Sequence, residues 1–115
     1  MKTTNGKAFE ILATLATATE TGKLGYALAK QRRYIEDELK EFIEIRDKAI
    51  QDHSTGGKMT PEDVAAANTD IAEYIDLSCE FRVYAVDEDV FVSGGLNSAQ
   101  MYVLGFMVRG ADDGE

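Results

Sequence analysis

Apolar residues recur at helical spacing in the first part of the chain. Phe9, Leu12 and Leu15 follow Asn5 at intervals of three and four residues, a pattern typical of one buried helix face. Asn5 is a residue type that caps helix N-termini, so we expect it to be the N-cap. A threonine-rich stretch with weak helix propensity follows, and Gly22 is expected to end or bend this first helix.

A longer apolar stripe predicts a second helix over about residues 23–52. Its members are Leu24, Leu28, Ile35, Leu39, Phe42, Ala49 and Ile50. Gln31 and Arg32 interrupt the stripe. Thirty helical residues would extend about 45 Å, which is longer than a domain of this size is wide. The sequence therefore indicates a partner helix, a dimer, or both.

A strong helix start follows the loop at residues 53–58. Thr60 is an N-cap residue, Pro61 suits the first helical position, and the acids after it favour the positive end of the helix dipole. Apolar positions then recur three or four residues apart: Val64, Ala67, Ile71, Tyr74 and Ile75. Two long helices joined by a short loop predict an antiparallel hairpin.

The pattern changes after this helix. Residues 81–86, FRVYAV, are rich in β-branched and aromatic side chains, residues 87–89 are the polar break DED, and residues 90–95 read VFVSGG. This predicts a small two-stranded β hairpin. An isolated ribbon of two strands is marginal, so we expect it to pack on the helices or pair with another chain.

A short C-terminal helix is predicted next. Asn97 or Ser98 would cap it, and it would contain Met101 and Leu104 and extend toward Val108. The expected fold is mainly α, in the α+β class: a long antiparallel helical hairpin with an N-terminal helix, a two-stranded β element and this last helix. Residues 1–110 are predicted to form a single domain, followed by an acidic tail at residues 111–115.

Charge is unevenly distributed along the chain. The net charge is −9: residues 1–59 carry nine acids and ten bases, whereas residues 60–115 carry twelve acids and two bases. Such a molecule is repelled by nucleic acid and by anionic membranes, and it is attracted to a basic protein surface. The excess acid also serves solubility, which is the more common reason for it.

Cysteine and histidine occur once each, as Cys79 and His53. One thiol cannot form an internal disulfide, which fits a reducing compartment. No apolar run approaches the length of a membrane span, and the N-terminus lacks the apolar core of a signal peptide. We therefore expect a soluble cytoplasmic protein, in which any metal site would be built from carboxylates and suit Mg or Mn.

The acids at residues 32–48 have two interpretations. Glu36 and Glu44 each precede a lysine by four residues, which is the favourable order for solvent-exposed helix pairs. Alternatively, Glu38 and Glu41 resemble one half of the Mg-binding motif of all-α nucleotide pyrophosphohydrolases, and Glu73 and Asp76 supply the spacing of the second half. Four such carboxylates could hold Mg and activate water. Few bases near the second pair could hold phosphates, so we predict no enzyme and no cofactor.

A basic patch surrounds Tyr26 and Tyr34. Its bases are Lys23, Lys30, Arg32 and Arg33. It is a weak nucleic-acid footprint because so many acids accompany it. We expect it instead to meet acids of the third helix, within one molecule or across a dimer.

The order of these features resembles a family of short, uncharacterised phage and prophage proteins of Gram-positive bacteria. The similar segments are residues 22–53, from GKLGYALAKQRRYIEDELK onward, the run FRVYAV, and VFVSGGLNSAQMYVLGFMV at residues 90–108. The resemblance implies a phage origin and transfers no active site. It favours a small acidic protein that binds and modulates a host protein, such as a defence nuclease.

The acids expected to contact such a basic host protein lie in the second half of the chain: Asp70, Glu73, Asp76, Glu80, Asp87, Glu88 and Asp89. The alternative is a homo-oligomeric structural or assembly protein of the phage. A decoy of that acidic kind would bind with strong salt dependence, whereas an assembly protein would self-associate through apolar surface.

Overall fold

A computed structural model describes residues 1–54 and 56–110 of the chain. The elements in chain order are β1 (Lys2–Thr4), α1 (Asn5–Thr17), α2 (Gly22–Glu38), α3 (Lys40–His53), α4 (Pro61–Ile75), β2 (Ser78–Glu80), α5 (Glu88–Val92), α6 (Ser98–Leu104) and a 3-10 helix (Gly105–Met107). The protein is 68% helical, which confirms the mainly α prediction. The acidic tail predicted at residues 111–115 lies outside the described residues.

The molecule is elongated, with extents of 48 × 28 × 21 Å. The core forms where α1 packs against α2 and α6. The largest fully buried apolar side chains there are Ile35, Leu39, Leu104 and Met107. The predicted hairpin is confirmed for α3 and α4, which pack against each other along most of their length. It extends from the core, and α4 buries only Ala67 completely.

The predicted second helix is interrupted once, at Leu39. Its φ and ψ of −91° and 4° depart from helical values, so α2 and α3 are separate helices. Hydrogen bonds from Leu39 N to Ile35 O (2.9 Å) and from Ile43 N to Leu39 O (2.8 Å) nevertheless continue across the break. The prediction of one continuous helix was therefore wrong at Leu39. Neither Gly nor Pro stands at this position, so the local sequence gives no sign of the break.

The cap of α1 differs from the prediction by one position. Thr4, not Asn5, is the N-cap, and its side chain accepts a hydrogen bond from Lys7 N at 3.2 Å. Asn5 instead serves the end of α4: its side-chain Nδ2 donates to Tyr74 O at 3.0 Å, and its backbone N donates to Leu77 O at 2.9 Å. These bonds join the start of α1 to the C-terminal end of α4 and the residues just after it.

Helix α4 begins as the sequence predicts. Thr60 accepts a hydrogen bond from Asp63 N at 3.2 Å, and the Asp63 carboxylate accepts one from Thr60 N at 2.9 Å. Asn97 forms the same type of capping box with Gln100 at the start of α6. Both caps confirm that local sequence fixed where these two helices begin.

The two-stranded sheet exists, but it is made from other residues than those predicted. β1 pairs with β2 antiparallel, with Lys2 opposite Glu80 and Thr4 opposite Ser78. The run at residues 81–86 forms no strand with residues 90–95, because Glu88–Val92 is the short helix α5. The long-range pairing of β1 with β2 has no counterpart in local sequence pattern, since either strand is only three residues long.

Gln31 explains why residues 82–84 need no strand partner. It is the only buried polar side chain in the described part of the chain, with 0% exposure. Its Nε2 donates to Arg82 O at 2.7 Å, and its Oε1 accepts from Tyr84 N at 2.8 Å. The amide therefore pairs with this extended backbone in the way a neighbouring strand would.

The extended segment continues into a second contact, with the C-terminal end of the described chain. Val86 N donates to Met107 O at 2.8 Å, and Arg109 N donates to Val86 O at 2.6 Å. This isolated parallel bridge joins Val86 to Val108. Segments far apart in sequence are thus held side by side next to α2.

Replacing Gln31 by Leu is expected to destabilise the protein by about 2–4 kcal/mol. The substitution leaves the part-buried Arg82 carbonyl and Tyr84 amide without this partner, at about 1–2 kcal/mol each, the lower part of the range for buried groups. Gln51→Leu is the matched control, since the Gln51 side chain is exposed on α3. Urea unfolding followed by circular dichroism measures both. Equal midpoints for the two variants would contradict the role of the Gln31 amide.

Alanine substitutions at two glycines are expected to change stability in opposite directions. A Cβ at Gly25 would collide with the backbone carbonyl of Glu20, so Gly25→Ala should destabilise by about 1–3 kcal/mol as the chain shifts. A Cβ at Gly105 meets no atom, and φ there is −57°, so Gly105→Ala should stabilise by about 0.5–1 kcal/mol. Thermal unfolding of both variants tests the pair, and a loss of stability in Gly105→Ala would be inconsistent with the packing described.

Candidate protein-binding surface

The four carboxylates considered for Mg do not form a metal site. Glu38 ends α2, Glu41 lies in the first turn of α3, Glu73 lies near the end of α4, and Asp76 is the C-cap of α4. All four side chains are exposed. Among residues 1–54 and 56–110, no group of three or more His, Cys, Asp or Glu side chains is placed to hold a metal ion.

Helix α4 carries acids and no base. Glu62, Glu73 and Asp76 are exposed and recur at intervals of eleven and three residues, which places them on one side of the helix. No ion pair involves Glu73 or Asp76 anywhere in the described chain. We call these three residues the acidic stripe of α4.

The position of two acids in the stripe is unfavourable for helix stability. Glu73 lies in the last turn of α4 and Asp76 caps its C-terminus, where the helix dipole presents partial negative charge. By contrast, Glu62 and Asp63 occupy the first turn, where negative charge is favourable. Stability of α4 therefore does not explain why Glu73 and Asp76 are acidic.

The next acid on α4, Asp70, faces the hairpin partner. Its Oδ2 lies 2.7 Å from Nε2 of His53, the last residue of α3. This contact joins α3 to α4 near the loop. The only histidine of the chain thus has a structural partner, and Asp70 is less available to another protein than Glu73 or Asp76.

An apolar groove lies on the opposite side of α4 from the acidic stripe, because Ile71 and Ile75 are two residues before and after Glu73 and so lie about 160° from it around the helix. It has a volume of about 510 Å³ and lies between α1, α3 and α4, where Phe9, Phe42, Ile71 and Ile75 line it. The Phe9 and Phe42 rings meet edge to face at a centroid distance of 6.0 Å, and the Arg46 guanidinium lies 5.0 Å from the Phe9 ring centroid. The groove offers apolar surface that a partner could bury.

Sequence pattern placed these groove residues in the core. Ile71 and Ile75 occupy helical positions that face the interior, and the structure leaves both half-buried because α1 covers them only in part. Val64 and Leu77 remain 45% and 52% exposed. Periodicity identifies an apolar face, but it does not show whether the rest of the chain reaches that face.

The remaining predicted acids lie elsewhere. Asp87 is the N-cap of α5, with Glu88 and Asp89 in its first turn, where they favour the helix dipole. Helix α5 packs against α2, whereas α4 packs against α3. Glu80 is exposed on β2, opposite Lys2. The seven predicted acids are all exposed, but they divide among three elements, and several have local roles.

The bases around Tyr26 and Tyr34 make local contacts. Arg32 pairs with Glu36 at 3.5 Å, and Lys30 Nζ lies 5.6 Å from the Tyr26 ring centroid. The Arg82 guanidinium lies 5.1 Å from the Tyr34 ring centroid. Across the described residues, none of these bases forms an ion pair with an acid of α4, so the prediction of such contacts within one molecule was wrong.

The buried thiol of Cys79 has an altered acidity. Burial raises the pKa of Cys79 above its ordinary value of 9.0, and the negative charge of Glu38 raises it further, while the N-terminal ammonium acts in the opposite direction. The thiol is neutral at physiological pH and packs in the core between β1 and the helices. It is an unreactive packing residue.

Comparison with known proteins assigns no family. No protein-family model matches the chain, and neither a curated protein nor a solved structure resembles it significantly. The resemblance to phage proteins stays a prediction. None of the helices in the described ranges combines the length and the apolar character that crossing a membrane requires.

The Cys79 pKa predicts a pH dependence of stability. Because the pKa is higher in the folded than in the unfolded chain, the unfolded chain loses its proton first as pH rises, so stability falls above pH 9.0. Cys79→Ala should lack this part of the decline. Urea midpoints of both proteins between neutral and alkaline pH measure it. Parallel curves for the two proteins would show that the thiol has no such effect.

Proposed function

We propose that this protein acts by binding another protein with a basic surface, and that it is not an enzyme. The observation that carries the proposal is the acidic stripe of α4, whose Glu73 and Asp76 are exposed, unpaired within the described chain, and placed where they cost stability. Residues that reduce stability are typical of functional surfaces.

The resemblance to phage proteins supports a host protein as this partner. In this proposal the chain works in the bacterial cytoplasm and inhibits or modulates a host protein, such as a defence nuclease, by occupying its basic site. A surface made of unpaired carboxylates would give rapid, salt-dependent association. The chain would need no cofactor for this role.

Reversing the charges in the acidic stripe tests the proposal. Glu73→Lys/Asp76→Lys should abolish capture of the host partner and raise the free energy of unfolding by about 0.5–1.5 kcal/mol, because the new charges suit the helix C-terminus. The measurement is a pull-down from host lysate at low and moderate salt, read by mass spectrometry, with urea unfolding in parallel.

Glu44→Lys/Asp47→Lys is the matched control. Both residues are exposed on α3, and the double substitution changes the net charge equally. The control should retain the partner that the stripe variant loses. If both variants lose the partner, the effect comes from overall charge and not from the stripe. If both variants retain the partner, the stripe has no role in binding.

Self-association is the second candidate function. Val64, Leu77 and the groove leave apolar surface exposed on the hairpin, and a second copy could cover it. The β ribbon that was expected to pair between chains is not available, because residues 81–86 and 90–95 do not form it. Size-exclusion chromatography with light scattering distinguishes the candidates: a salt-insensitive oligomer supports assembly, and a monomer supports binding to a host protein.

The enzyme alternative has a direct test. Mg-dependent hydrolysis of nucleoside triphosphates by the wild-type protein, lost on Glu38→Gln or Glu73→Gln, would overturn the proposal. We expect no Mg-dependent release of pyrophosphate above the background of the buffer.

A further inference from the structure

A second concave site is lined by residues outside the α3–α4 hairpin. It is a cavity of about 400 Å³ between the start of α2, residues 84–87, α5 and Arg109. Its volume is in the range of small-molecule sites. We call it the α2 pocket.

The walls of the α2 pocket combine aromatic and aliphatic surface. Tyr26 and Tyr84 meet edge to face at a centroid distance of 5.9 Å, and Val86 and Val90 complete the apolar lining. Tyr26 remains 57% exposed although it is aromatic. Such walls favour a flat, apolar group, since rings pack against aromatic side chains in stacked or edge-to-face arrangements.

The charge of the pocket is positive in a chain whose net charge is −9. Of the residues that the structure describes, Lys23 and Arg109 line it together with a single acid, Asp87. Arg109 Nε donates to Asp87 Oδ1 at 2.9 Å, and this is the one hydrogen bond that its side chain makes among the described residues. Its terminal N–H groups and the Lys23 ammonium are therefore available to an anion.

Hydrogen bonds to main-chain groups hold the walls of the pocket in place. Tyr84 N is bound by the Gln31 amide, and Val86 is bound on both sides by Met107 and Arg109. The three parts of the wall are distant in sequence but fixed to one another. A ligand would therefore bind without first ordering the walls, which reduces the entropic cost of binding.

From this combination we infer that the α2 pocket binds a small, planar aromatic molecule that carries one anionic group. The ring lies against Tyr26, Tyr84 and the valines, and the anionic group faces Lys23 and Arg109. The shared chemistry fits both a nucleoside monophosphate and an aromatic carboxylate. The inference is independent of the acidic stripe, which lies on a helix that does not line this pocket.

Titrations monitored by ¹H–¹⁵N NMR test the inference on the full chain. The probes are adenosine monophosphate and indole-3-acetate, with inorganic phosphate as the ring-free control. Saturable shifts at the amides around Tyr26, Tyr84 and Arg109 are expected for at least one aromatic probe. Which probe binds then distinguishes a phosphate from a carboxylate. No saturation up to about 10 mM, or equal binding of phosphate alone, would overturn the inference.

Three substitutions in the pocket are expected to change the affinity for the probe in defined directions. Lys23→Glu and Tyr26→Ala should each weaken binding by about tenfold, through loss of the cation and of the aromatic wall. Asp87→Asn should strengthen binding severalfold, because it removes the negative charge that Asp87 places in the pocket and frees Arg109. That ion pair is exposed, so the fold does not depend on it.

Lys40→Glu on α3 is the control, with the same charge change as Lys23→Glu at an exposed position outside the pocket. It should bind the probe as the wild type does. Equal weakening by both lysine variants would show a general charge effect and refute the site. Weaker binding after Asp87→Asn would mean that the pocket prefers a cationic group, which also contradicts the inference.

Discussion

The hydrogen bonds of one buried amide organise the second half of the chain. Residues 82–84 cross the surface of α2 as extended backbone with no neighbouring strand, and buried peptide groups cannot remain unpaired without a cost of about 1–3 kcal/mol each. Gln31 supplies both a donor and an acceptor and so replaces the strand. The path of residues 85–87, the bridge from Val86 to Val108 and the walls of the α2 pocket all follow from this placement.

The α3–α4 hairpin is a different kind of structure, with little core of its own. Helix α4 is held by its capping box at one end, by the His53–Asp70 contact, and by the Asn5 bonds to Tyr74 and Leu77 at the other end. In such an arm, surface charges matter more than in a deeply buried helix. The acids at its C-terminal end therefore have a physical cost that binding a partner would offset.

Net charge alone conceals how the charges are arranged. Residues 22–35 of α2 contain four bases and no acid, whereas α4 contains acids and no base. The fold does not bring these two helices together: α2 packs with α1 and α5, and α4 packs with α3. The molecule thus presents separate surfaces of opposite sign. The two proposals, an acidic protein-binding stripe and an anion-binding pocket, rest on that separation.

The sequence by itself determined most of the helical residues and several helix ends. Apolar spacing and local capping chemistry act over a few residues, which is why α1, the α3–α4 hairpin and the starts at Thr60 and Asn97 were predictable. The acidic character of α4 was equally evident from composition. Fold class follows from these local signals, since they account for most of the residues.

Only the tertiary structure decided the rest, because it depends on contacts between distant residues. Gln31 looked like a gap in an apolar stripe, yet it is the buried partner of a segment more than fifty residues away. The β-like run at residues 81–86 forms hydrogen bonds with that side chain and not with a strand. The sheet instead pairs Lys2–Thr4 with Ser78–Glu80. Neither pocket nor groove could be predicted, since each is bounded by elements that are far apart in the sequence and meet only in the folded chain.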